Sequence, residues 1–188
     1  MREKLKIGLL ISDELVLQWE YDLASEILHS DYACMELVIF SNQEHVLKHE
    51  NQKVSMFFRL HNKLDRLLFL GKNNYAVNRN IHDLTGNVRE VRLDYSDEPV
   101  SEDEDHGTYA VIREQKLDVI IKLGYGRIDE GLSGLSKYGL WTFPMTGFDS
   151  GSADTTGYYE VLENNPVTVS GLDAITGKGQ KPLSLVRT

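Results

Sequence analysis

Two glycines, Gly124 and Gly126, stand directly after the apolar run LDVIIKL (Leu117–Leu123). If that run is a strand, they lie just beyond its carboxyl end, where α/β sheets place ligands and where a missing side chain lets backbone approach a bound ring. The same spacing also suits a tight strand-to-helix turn. Elsewhere the chemistry-bearing patterns are sparse. The turn after the first apolar run reads Ser12-Asp13-Glu14-Leu15, with neither a GxGxxG nor a GxxxxGK[ST] loop. Bulky and acidic side chains there keep backbone amides away from a pyrophosphate, which argues against dinucleotide and P-loop chemistry. The chain has no HExxH, no paired-cysteine motif and no GxSxG elbow, so the common zinc-protease and hydrolase signatures are missing. All six histidines precede residue 107. His45 and His49 have i, i+4 spacing that could chelate a metal on a helix, but Glu44, Lys48 and Glu50 around them fit an exposed segment better, and no metal is expected.

The elements that must position these residues follow from hydrophobic patterning. Leu5–Ile11 (LKIGLLI) and Met35–Phe40 (MELVIF) are short, nearly continuous apolar runs, the pattern of parallel strands buried on both faces. Between them Leu15, Trp19, Leu23, Ile27 and Leu28 recur at helical spacing, with Asp13 or Ser12 expected to cap the first turn. The alternation returns with strands expected at Leu117–Leu123 and Gly139–Phe143 and a short helix near Glu130–Ser136. Together these predict an α/β fold with a central, mostly parallel sheet and helices on both faces. Val54–Leu70 sets Phe57, Leu60, Leu64 and Leu67 on one face and reads as an amphipathic helix packing on the sheet, or else facing a partner or membrane. The acidic stretch DYSDEPVSEDED (94–105) and the glycine-rich tail Gly171–Gly179 read as loops.

Composition narrows the classes further. At 188 residues with 41% hydrophobic content, one domain with a sizeable core is expected. A net charge of -9, from 20 basic and 29 acidic residues, argues against broad capture of nucleic acid or anionic membrane. The single cysteine, Cys34, cannot form an internal disulfide, so the chain reads as an intracellular, cytoplasmic protein. No apolar run is long enough to span a bilayer, and composition leaves the oligomeric state open.

The late segments LDVIIKLGYGRI, KYGLWTF and GYYEVLENNPVT, with the opening KIGLLISDELVLQWEYDLASEIL and FFRLHNKLDRLLF, resemble the N-terminal domain of folate-dependent formyltransferases, most closely a branch often joined to a β-propeller. The resemblance covers nearly the whole chain. It implies a Rossmann-like formyltransferase fold, 10-formyltetrahydrofolate as one-carbon donor, and an amine, such as that of an amino sugar, as acceptor. It places the folate near Leu123, Gly124, Tyr125 and Gly126, and the acceptor near Thr142.

The family's Asn-x-His pair does not survive the match: its Asn position falls on Thr142, its His position on Pro144, and a neighbouring second histidine on Met145. The family's later Asp falls near Gln180, with Asp173 as the alternative. Proline has no side-chain proton to exchange. The residues from Pro144 to Thr156 depart from the pattern as one block, while Trp141–Phe143 and Gly157–Val161 on either side match it. Compensating frameshifts in the coding DNA, or replacement of a loop freed from catalysis, would each give such a block. The resemblance thus implies a formyltransferase-like domain with weak or absent activity, or a non-enzymatic ligand-binding or protein-interaction module. Residues 1–188 are expected to form a single formyltransferase-like domain, and because more chain follows PLSLVRT in the related branch, a C-terminally truncated module is the alternative.

Overall fold

A strand buried on both faces cannot alternate polar and apolar residues, and the first strand, β1 (Leu5–Ile11), obeys this: every side chain from Ile7 to Ile11 is apolar or glycine, and all are buried. In the computed structural model, which describes residues 3–42, 78–94, 107–124, 128, 130–143, 171–177 and 179–187, β1 is a central strand. It is flanked by β3 (Ala33–Asn42) on one side and β6 (Val119–Lys122) on the other, both parallel to it. With β5 (Arg89–Asp94), β7 (Leu140–Thr142), β8 (Gly171–Ile175) and β9 (Leu183–Arg187), the sheet runs β5-β3-β1-β6-β7-β8-β9. The pairings from β5 to β7 are parallel; those of β8 with β7 and with β9 are antiparallel. The mostly parallel sheet expected from the sequence is therefore present, with Leu5–Ile11 and the Leu117–Leu123 region side by side in it.

Helices cover both faces. On one, α1 (Gln18–His29) packs Ala24 and Ile27 onto Leu9, Ile11, Val38 and Phe40. On the other, Ile112 of α3 (Thr108–Glu114) and Leu132 and Leu135 of a 3-10 helix (Glu130–Leu135) cover Leu10, Leu37, Ile39, Ile120 and Leu140. A short two-stranded ribbon joins β2 (Leu15–Leu17) to β4 (Asn78–Asn80), which leads into the single-turn helix α2 (His82–Thr85).

Several local expectations are corrected. The first helix starts at Gln18, because Leu15–Leu17 pair as a strand with 78–80. Neither Ser12 nor Asp13 caps it; Glu20 reaches back to accept the Leu17 amide at 2.7 Å, one half of a capping box. The tail beginning at Gly171 is not all loop: Gly171–Ile175 is β8, held between β7 and β9 with Ala174 and Ile175 buried. The strand expected over Leu117–Leu123 is confined to Val119–Lys122, with Leu117 bridging Ser136. That expected over Gly139–Phe143 is Leu140–Thr142, and the helix near 130–136 is a 3-10 turn. The amphipathic stretch 54–70, His45 and His49, and residues 95–105 of the acidic stretch lie outside the described residues.

Gly139 fixes how β7 meets β8. Its φ is +79°, and a Cβ there would land on the Ile175 carbonyl oxygen, so only glycine allows this approach.

Candidate functional site

From β1 the chain crosses first to β3 on one side and later to β6 on the other. Where strand order reverses in this way, α/β folds form their ligand crevice outside the carboxyl ends of the adjoining strands, here β1 and β6. The end of β6 is built for close backbone approach. The Leu123 amide donates to the Leu10 carbonyl at 2.9 Å, tying the strand end to β1, and the Leu123 side chain is buried in the α1-side core. The next residue, Gly124, turns with φ +74°. A Cβ at Gly124 would sit 3.0 Å from Glu20 Oε1.

Two charged groups hold this turn. Lys122 is 4% exposed and Glu20 5% exposed. Lys122 Nζ donates to the Gly124 carbonyl oxygen at 2.9 Å. Glu20, on the first turn of α1, accepts the Leu17 amide through Oε2 and sets Oε1 against the open side of Gly124. Burial penalises both charges, and each partly restores the other. Desolvation pushes the Glu20 carboxyl up, opposed by the Leu17 amide and by Lys122. Desolvation likewise brings the Lys122 ammonium down to about 8, opposed by Glu20.

Along the same level of the sheet, Lys122 is in register with Thr142 on β7, and Thr142 with Asp173 on β8. Register partners share a face, so lysine, threonine and aspartate form a polar row next to the apolar row Ile120, Leu140 and Ile175. Asp173 Oδ1 is buried and has no hydrogen-bond partner among the described residues; a buried acceptor in that state calls for a donor. Trp19 of α1 meets Phe143 edge-on, ring centroids 6.1 Å apart, joining the start of α1 to the end of β7. Tyr138 is exposed, and its carbonyl accepts the Trp141 indole N–H at 3.1 Å.

Of the residues singled out in the sequence, Leu123, Gly124 and Thr142 are brought together on neighbouring strand ends. Tyr125, Gly126, Pro144 and Met145 lie outside the described residues. Lys122 and Glu20 escape sequence reasoning, yet each leaves a trace: a lysine inside the run VIIKL, and an acid on the apolar stripe of α1 that includes Ala24 and Ile27. A second polar group stands at the β3–β5 side. There Arg92 Nη2 donates to Glu14 Oε1 at 2.7 Å and lies over the Phe40 ring, and His82 Nδ1 is 2.8 Å from Glu90 Oε1. These pairs are exposed and lend the edge little stability. Among the described residues no group of three or more His, Cys, Asp or Glu could hold a metal ion, and no helix is long and apolar enough to cross a membrane.

No protein-family model matches the chain, and no curated protein matches it in sequence. Among solved structures it is similar to phosphoribosylglycinamide formyltransferase from Anaplasma phagocytophilum, with TM-score 0.52 and 13% identity over 98% of this chain and 71% of that one. The phosphoribosylglycinamide formyltransferase from Brucella melitensis gives TM-score 0.52 and 12% identity over 99% and 79% of the two chains. Glycinamide ribonucleotide transformylase 1 from Geobacillus kaustophilus gives 0.51 and 12% over 99% and 82%. At such identity the likeness is one of fold: the chain has a formyltransferase-like, Rossmann-like α/β fold.

Proposed function

We propose that this chain is a formyltransferase-like domain whose crevice receives a reduced folate near Leu123, Gly124, Tyr125 and Gly126 and an amine, such as that of an amino sugar, beside Thr142, with formyl transfer weak or absent. The observation that carries the reading is the Gly124 turn. It is a left-handed glycine at the carboxyl end of β6, at the switch point of the sheet where α/β folds bind ligands, with Glu20 Oε1 set against the face that a side chain would occupy. The buried Asp173 Oδ1, without a hydrogen-bond partner among the described residues and in the same row as Thr142, suits a ligand that brings a hydrogen-bond donor.

When bound, 10-formyltetrahydrofolate would supply the formyl group; the chain's part is to orient, to exclude water and to manage charge. Transfer to an amine builds negative charge on the formyl oxygen and releases a proton from the attacking nitrogen, so it calls for a donor and a proton carrier. Thr142 offers one hydroxyl donor, and Pro144 offers none. Removing such groups from acyl-transfer sites costs about two to four orders of magnitude in rate, hence the weak or absent turnover. These substitutions also favour the second reading, a non-enzymatic binding or interaction module.

Incubating the purified chain with 10-formyltetrahydrofolate and a panel of amino sugars tests both. Folate binding with turnover near background is the expected result. Turnover far above background would overturn the inactive reading, and absence of binding would leave only the interaction role.

A further inference from the structure

Folding an ammonium and a carboxylate into the interior is costly, and a methionine at position 122 would fill similar space without desolvating a charge. What the charges add is geometry. Lys122 Nζ holds the Gly124 carbonyl oxygen at 2.9 Å, while Glu20 ties the start of α1 through the Leu17 amide and walls the other side of Gly124. We propose that Lys122 and Glu20 act as a positioning pair for ligand capture: the ammonium fixes the Gly124 carbonyl, the carboxylate fixes α1 against the same residue, and the turn presents its ligand-facing backbone only while both are in place. This rests on the reading that a ligand meets the turn, and it assigns a role to two side chains that the Asn-x-His pattern leaves out.

The surroundings favour one donor being decisive. The partners of Lys122 on the adjoining strands, Leu10 and Thr142, carry no charge. The charged groups facing it are Glu20 from α1 and, two strands along the row, Asp173 on β8. With Lys122 neutral, the Gly124 carbonyl loses its charge-assisted bond, and Glu20 keeps a buried charge with no cation beside it. Both losses act on the same residue, so the turn is expected to relax. Because Lys122 titrates at about 8, capture should be complete near neutrality and fall in alkali.

The test uses 5-formyltetrahydrofolate as probe, with affinity measured at about pH 7 and about pH 9.5, and the backbone carbonyl signal of Gly124 followed by NMR across the same range. The wild type should bind at least about tenfold more weakly at the higher pH, from a single linked proton. The variant Lys122→Arg, which keeps its charge throughout, should lose that dependence. Lys122→Met should bind weakly at both, and Glu20→Gln, which keeps the Leu17 contact but not the charge, should fall between. The Gly124 signal should titrate near 8 in the wild type and stay flat in Lys122→Arg. A Gly124 signal that does not move overturns the positioning pair even if folate binds, and so does wild-type affinity in Lys122→Met at both pH values. Failure of the wild type to bind at either pH overturns the folate reading instead, and the Gly124 titration then still decides whether the pair holds the turn.

Discussion

Replacing Lys122 by methionine should change the pH dependence of folding in a direction opposite to its effect on binding. Lys122 titrates at about 8 in the folded chain, against an ordinary value of 10.5 for the exposed side chain of the unfolded one, because burial disfavours its charge. Below about 8 both states hold the proton and the group adds no slope. Between about 8 and 10.5 the unfolded chain still binds a proton that the folded chain has released, so stability rises with pH. At about 1.4 kcal/mol per pH unit of separation, the gap is worth ~3 kcal/mol over that window. Urea denaturation of wild type and Lys122→Met in steps from neutrality to about pH 10 isolates this contribution, since every other titrating group is common to both. The stability of the wild type relative to the variant should climb by ~2–3 kcal/mol across the window, while its affinity for ligand falls. Parallel stability curves would refute the burial of a charged Lys122, and with it the electrostatics assigned to the crevice.

Gly139→Ala should cost at least ~2 kcal/mol in chemical denaturation, from left-handed strain together with displacement of β8 by the new Cβ at the Ile175 carbonyl; a change within experimental error would contradict the β7–β8 packing. Leu37→Ala removes a fully buried side chain from β3 beneath α3 and the 3-10 helix, and a loss of about 2–5 kcal/mol is expected by the same assay. Burial, reinforced by the neighbouring Glu36 carboxylate, pushes the Cys34 thiol up. Iodoacetamide should therefore alkylate it more slowly than glutathione at neutral pH, as followed by intact mass.

The sheet was legible in the sequence to the extent that its strands are buried on both faces. Leu5–Ile11, Met35–Phe40 and the core of Leu117–Leu123 announce themselves as apolar runs because no side of them meets water. β8 did not, since Leu172 and Asp173 are only half-buried and its first residue, Gly171, imitates a loop together with Gly177 and Gly179 beyond its end. The β2–β4 ribbon is made by pairing Leu15 with Asn80, a contact between distant residues that no local pattern encodes; its apolar Leu15–Leu17 instead blended into the helical stripe that follows. Within the candidate site, glycine placement and family likeness point to Gly124 and Thr142 as expectations. Lys122 and Glu20 were hidden because hydrophobic patterning counts them as interruptions of a strand and of a helix stripe. Only their approach to one glycine from two elements turns those interruptions into a pair.

The most direct test of the central claim is to titrate 5-formyltetrahydrofolate into the isotope-labelled chain and map which backbone signals move. If the crevice at the ends of β1 and β6 binds the ligand, the largest changes fall on Lys122, Leu123, Gly124, Thr142 and Phe143, with Trp19 and Glu20 following from α1. Signals that stay still at saturating ligand, or that move only along β5 or β9 at the sheet edges, would contradict it.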